Sequence, residues 1–138
     1  MNICKIRNPQ SLKTFIDRDG RLTPVEFYDV PFKPKRMFYV TNVPKNDIRG
    51  GHAHYETQQL LICIDGRIGV MLFDGYNEHY TVIEKDEAVF VDKMIWDSQI
   101  FLTGNDVMVS LCSTNYDKND YIENKEQFIK LVKDKSYE

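Results

Sequence analysis

The stretch Gln58-Gln59-Leu60-Leu61-Ile62-Cys63-Ile64-Asp65-Gly66-Arg67-Ile68-Gly69-Val70-Met71-Leu72-Phe73-Asp74-Gly75 decides the fold class. It holds two short apolar runs rich in branched side chains, which suit a pleated backbone better than a helix. Asp65-Gly66 separates them and tolerates the positive φ of a tight turn, so strands over Gln58–Ile64 and Ile68–Phe73 form a hairpin closed by a second turn at Asp74-Gly75. Working outward, further strands are expected at Tyr80–Ile83, Ala88–Val91, Ile95–Phe101 and Val107–Cys112, with Thr103-Gly104-Asn105 as the turn between the last two. Upstream, Phe27–Val30 and Arg36–Val40 read as two more strands separated by Pro31 and Pro34, an edge or crossing segment. Turn signals recurring every ~8–12 residues mark a sandwich or barrel.

Only the C-terminus breaks this rhythm. Asp120-Tyr121-Ile122-Glu123 has capping-box spacing, and Phe128, Ile129, Leu131 and Val132 recur at helical intervals. The expected architecture is mostly β, an antiparallel jelly-roll barrel with one C-terminal α-helix, built as a single domain over residues 1–138. Such a barrel can hold a small molecule between its sheets. Tyr116 and Tyr121 are expected to pack around the helix.

Composition narrows the function classes. The 138 residues carry 18 Lys plus Arg against 21 Asp plus Glu, a net charge of -3, so no global positive field attracts a nucleic acid. Hydrophobic residues make up 42% of the chain, but none of the apolar runs approaches the ~20 residues of a membrane span. Cys4, Cys63 and Cys112 are odd in number and far apart, as expected of reduced thiols. Met1–Arg7 has no secretory pattern, and a cytoplasmic location is the inference.

The chain has 3 histidines, and two of them stand in Gly51-His52-Ala53-His54. Two residues apart on a strand, both imidazoles point to one face, a geometry that suits a metal or a proton. The pattern resembles the first metal motif of the cupins, His-x-His followed by Glu and then Gly. Here Gln59 stands at the Glu position and Gly66 at the Gly. The later segment that should supply another His, near Val91 to Gln99, has none, with Trp96 nearest to its place. Two imidazoles and an amide are a poor set for a divalent transition metal, so the expectation is no metal. Imidazoles with a pKa of ~6.5 can accept and return a proton near neutral pH, as an isomerase requires.

A closer resemblance spans most of the chain. Gly20-Arg21-Leu22-Thr23-Pro24-Val25-Glu26, Pro31 to Tyr39, Arg49-Gly50-Gly51-His52-Ala53-His54, Phe73-Asp74-Gly75, Trp96 and Ser113 to Ile122 occur in order as in the nucleotide-sugar 3,4-ketoisomerases of the cupin superfamily. Tyr55 departs from the Lys or Arg that the family commonly has after the second His. The resemblance implies a metal-independent, cofactor-free conversion of dTDP-4-keto-6-deoxy-D-glucose to a dTDP-3-keto-6-deoxyhexose, in deoxysugar biosynthesis for surface glycans such as lipopolysaccharide. It also implies a homodimer with exchanged N-terminal strands. By position, His52 and His54 are the acid/base candidates, in either order, with Tyr39 a donor or relay. Arg49 and Arg36 are candidates for the diphosphate, Gln59 and Trp96 for the sugar or base. A nucleotide-sugar epimerase of cupin type and a non-catalytic sugar-binding cupin are the alternatives.

Overall fold

The computed structural model describes residues 6–135. Cys4 and most of the segment read for a leader lie outside them. Two five-stranded antiparallel sheets face each other. One takes β1 (Gln10–Ser11), β9 (Glu87–Val91), β6 (Gln59–Asp65), β11 (Val107–Cys112) and β4 (Arg36–Val40), in that spatial order. The other takes β12 (Tyr121–Ile122), β5 (Ile48–His54), β10 (Trp96–Phe101), β7 (Arg67–Phe73) and β8 (Glu78–Glu84). The layout is the expected jelly roll of two sheets, though no ladder among the described residues joins them into a closed barrel. A separate two-stranded hairpin, β2 (Phe15–Asp17) and β3 (Gly20–Leu22), projects from the N-terminal segment. It is too short and too mixed in character to stand out in the sequence.

The β6–β7 turn forms as expected, with Gly66 at φ +83°. A Cβ there would lie 2.1 Å from Asp106 Oδ1, so the glycine is needed for close approach as well as for its φ. Asp106 accepts from the Arg67, Thr103 and Gly104 amides and from the Thr103 hydroxyl, tying this turn to the one before β11. Its hydrogen bonds outweigh burial and hold its carboxyl below the usual range.

Strand alternation makes three apolar layers. Leu61, Cys63, Ile68, Val70, Leu72, Val89 and Phe101 meet between the sheets. Leu60, Ile62, Phe90 and Leu111 face the opposite side of the first sheet, covered by Val30, Phe32 and Leu12. On the outer face of the second sheet, α1 (Lys125–Lys135) seats Phe128 against Ala53, Ile122 and Trp96. Cys63 and Cys112 are free and buried. Burial pushes the Cys63 thiol up to about 12, which leaves it inert.

Two local expectations fail. Phe27–Val30 is not a strand: Phe27–Asp29 is a 3-10 turn, its Asp29 amide bonded to the Glu26 carbonyl and Val30 to Phe27. Pro24 and Pro31 flank it, and no neighbouring strand supplies a ladder. Asp120 does not cap the helix. Asn124 does, accepting from the Gln127 amide at 2.8 Å, and Asp120 turns back toward the sheet.

Candidate active site

A cavity of about 300 Å³ opens between the sheets at the β4 and β5 side. Its walls follow from strand parity. On β4, Arg36, Phe38 and Val40 face in, while Met37 and Tyr39 face out. On β10, Asp97 and Gln99 share the inward face with Phe101. Simple alternation on β5 would place Arg49 and His52 on opposite faces, yet both line the cavity. The reason is a bulge: Asp97 pairs with His52 and Ser98 with Gly50, leaving Gly51 as the extra residue. Gly50 and Gly51 have φ of +87° and +81°, conformations that glycine adopts without strain.

His52 is the imidazole at the cavity wall, its ring 5.0 Å from that of Tyr121 and edge-on to His54 at 5.1 Å. His54 lies behind it, 3% exposed, with its ring 4.4 Å from Tyr121. Its Nδ1 meets Asp120 Oδ2 at 3.2 Å. The carboxylate also accepts from the Glu56 and Thr57 amides and, at 2.5 Å, from the Thr57 hydroxyl. These bonds overcome burial and hold the Asp120 carboxyl below its usual range. An ionised Asp120 makes Nδ1 the protonated nitrogen of His54 and leaves Nε2, which is buried and without a partner, as the basic one.

Burial, with His54 adding to it, lowers the His52 pKa to about 4. Burial also lowers that of His54, against the opposing pull of Asp120. Both imidazoles are therefore neutral at pH 7 and ready to accept a proton. Asp97, 1% exposed, is pushed the other way by burial, up to about 7. Gln99 Nε2 donates to its Oδ2, and Oδ1 has no partner.

Arg36 reaches in from β4, its Nη2 3.6 Å from Cys112 Sγ and its guanidinium over the Tyr116 ring at 5.6 Å. Gln59, buried, points its amide at the same sulfur at 3.7 Å. Arg49 stands exposed at the rim. Among the described residues there is no group of three or more His, Cys, Asp or Glu placed to hold a metal ion. The nearest approximation to the cupin set is two imidazoles with an amide, Gln59, in place of the carboxylate, so the donors fit a metal poorly.

Of the residues singled out in the sequence, Arg36, Arg49, His52 and Gln59 line this one cavity, with His54 directly behind. Tyr39 and Trp96 do not. Tyr39 is 66% exposed on the outer face of β4, and Trp96 packs on Phe128 at 5.8 Å under the helix, each sent there by strand parity. The third histidine of the chain, His79, sits on the edge strand β8 beside Leu72, away from the cavity. Tyr116 and Tyr121, expected around the helix, line the cavity instead. Asp97 and Asp120 were missed. Counting back by twos from Phe101 puts Asp97 inward; for Asp120, the helix-cap spacing masked its place in the Ser113–Ile122 segment.

The profile of the family described as FdtA: WxcM-like, C-terminal, matches residues 5–133. A curated relative, the TDP-4-oxo-6-deoxy-alpha-D-glucose-3,4-oxoisomerase of Aneurinibacillus thermoaerophilus, is 31% identical over 124 residues, covering 88% of this chain and 89% of its own. A mutant of the 3,4-ketoisomerase QdtA from Thermoanaerobacterium thermosaccharolyticum, solved with TDP-4-keto-6-deoxyglucose, superposes with a TM-score of 0.86 at 30% identity, over 92% of this chain and 94% of its own. WlaRA, a TDP-fucose-3,4-ketoisomerase from Campylobacter jejuni, gives 0.82 at 27% identity, over 91% and 94%. Taken with the His52–His54–Asp120 array in a jelly roll, these matches establish that the chain belongs to the FdtA, WxcM-like C-terminal family.

Proposed function

We propose that this chain is a sugar-nucleotide 3,4-ketoisomerase that converts dTDP-4-keto-6-deoxy-D-glucose to a dTDP-3-keto-6-deoxyhexose. The observation that carries the reading is a neutral imidazole, His52, on the wall of a sugar-sized cavity and backed by the His54–Asp120 pair. The relatives that match at about 30% identity are named for this reaction, which favours it over epimerisation or mere sugar binding.

The C4 ketone acidifies the hydrogen on C3. His52 removes that proton, giving an enediol, and returns it at C4, which leaves the ketone at C3. His54 buttresses the reacting imidazole: Asp120 fixes its ring, and its edge packs on His52. Arg36 and Arg49 offer guanidinium forks to the diphosphate from the wall and the rim. Gln59 is placed for a sugar hydroxyl. Tyr39 would act only on a partner subunit's ligand, since it faces away from its own cavity.

A homodimer with exchanged N-terminal strands accords with the exposed apolar side chains of the β2–β3 hairpin and with outward Met37 and Tyr39 on the edge strand β4. The reading takes residues 1–138 as one domain, working in a reducing cytoplasm in deoxysugar supply for surface glycans such as lipopolysaccharide, without nucleic-acid or membrane partners. Among the described residues, no helix is long and apolar enough to cross a membrane.

His52→Asn is expected to lower kcat on dTDP-4-keto-6-deoxyglucose by about 10²-fold or more while dTDP still binds. Wild-type turnover in that variant would overturn the role given to His52.

A further inference from the structure

Asp97 and Asp106 are equally buried, at 1% exposure, yet they are treated in opposite ways. Asp106 receives three amides and a hydroxyl, as an ionised structural carboxylate does. Asp97 lines the cavity and receives one amide, from Gln99, on Oδ2, while its Oδ1 is buried with no partner. An ionised carboxylate left in this way carries a large desolvation cost, so the protonated acid is the stable form below about pH 7. The groups sharing its cavity are His52 and Arg49 on β5, Arg36 on β4, Tyr121 on β12 and Tyr116 in the preceding loop. From β7, its register partner is the apolar Leu72. Burial raises its pKa, and the hydrogen bond from Gln99, which favours ionisation, does not offset it.

Asp97 is also the direct cross-strand partner of His52, on the same face. Between about pH 4 and 7 the pair presents a free base beside a free acid. Isomerising a hydroxyketone moves two hydrogens: one from C3 to C4, and one from the C3 oxygen to the C4 oxygen. The first belongs to His52 in the mechanism above, and the second has no carrier there.

We propose that Asp97 carries the oxygen proton, giving it from Oδ1 to the C4 oxygen and recovering it from the C3 hydroxyl. The assignment rests on the ketoisomerase reading. In the first half, the C3–H bond breaks to His52 and its electron pair forms the C3=C4 double bond. The carbonyl pair moves onto the C4 oxygen, which takes the Asp97 proton. An enediol, a protonated His52 and an ionised Asp97 result. In the second half, Asp97 Oδ1 takes the C3 hydroxyl proton and the C3 carbonyl forms, while the double-bond pair takes the His52 proton at C4. Both side chains end as they began, and no other reactant is consumed. One carboxyl can serve both oxygens because they are vicinal, and the Gln99 bond to Oδ2 leaves Oδ1 as the working atom.

The test is Asp97→Asn, which keeps an acceptor for Gln99 and removes the proton. With dTDP-4-keto-6-deoxyglucose, kcat is expected to fall about 10²-fold with KM within about threefold of wild type, the pattern of a lost transition-state interaction. Wild-type kcat/KM should decline as pH rises through about 7, and the variant should lack that limb. A wild-type rate in the variant, or an unchanged alkaline limb, overturns the proposal. Infrared difference spectra of the wild-type protein across about pH 7 supply a check that needs no folded variant: a protonated-carboxyl band should disappear on the alkaline side, and its absence throughout overturns the proposal. If the wild-type protein fails to isomerise the sugar at all, the ketoisomerase reading falls and the shuttle with it; an active wild type beside an equally active variant removes the shuttle alone.

Discussion

Asp120 lies 66 residues from His54 in the chain, yet it fixes that imidazole. Its carboxylate gathers bonds from Glu56, Thr57 and His54. Asp120→Asn exchanges charge-assisted bonds for neutral ones and puts an amide NH₂ against donors, so a loss of about 1–3 kcal/mol is expected in urea denaturation. Turnover should fall with it, since His54 loses its fixed tautomer. Acid sensitivity follows from the same residues. The folded Asp120 pKa is depressed, so its stabilisation is present above the unfolded value of 3.8 and is lost as pH falls through the folded one. His52 acts in the same direction over a higher window: between about 6.5 and about 4 the unfolded chain binds the proton that the folded one refuses, so stability falls with pH there. His52→Asn should flatten that decline in urea midpoints; an identical decline would show that His52 is not held neutral. The paired imidazoles were legible in the sequence from parity alone. Their partners were not, because a long-range contact leaves no local trace and Asp120 also satisfied a helix-cap pattern.

The bulge in β5 decides the site at the level of elements. Gly51 adds one residue to the strand and brings Arg49 onto the face of His52. Gly51→Ala meets no neighbouring atom but keeps a φ of +81°, so it should cost about 1–2 kcal/mol by urea denaturation. Relief of that strain by closing the bulge would turn Arg49 away, and affinity for dTDP should weaken; unchanged stability and affinity would count against this account. On the outer face, Phe128→Ala should cost about 3–5 kcal/mol, because the ring is fully buried and anchors α1 on β5 and β12. The strands from β6 to β11 were legible because short apolar runs and the turns at Asp65-Gly66, Asp74-Gly75 and Thr103-Gly104-Asn105 agree, with boundaries shifted by one or two residues at most. The 3-10 turn at Phe27–Asp29 was misread because aromatic and branched residues favour strands only where a partner strand exists.

At the scale of the whole molecule, the sheets divide their labour: the end filled by Ile68, Val70 and Phe101 is solid, and the end walled by β4, β5 and β12 is hollow, with Arg36, His52, Asp97 and Gln99 among its lining residues. Sequence alone indicated a jelly roll that could hold a ligand but could not say where the hollow lay, since that depends on which inward positions are small or polar after the sheets meet. The N-terminal hairpin leaves Ile16 73% exposed, on a face that the proposed exchanged dimer would cover. Light scattering should give twice the 16.3 kDa chain mass, and Ile16→Asp combined with Leu22→Asp should shift the mass toward one chain. Exhaustive chelation is expected to leave turnover unchanged, given how poorly the donors suit a metal.

The central claim is that the cavity moves a ketone by proton transfer. The most direct measurement is a proton NMR time course of dTDP-4-keto-6-deoxyglucose with the protein in D₂O. The account predicts loss of the C3 signal, appearance of a 3-keto sugar and deuterium entering the ring. A 4-keto spectrum that stays unchanged, or deuterium exchange without migration of the carbonyl, would contradict it.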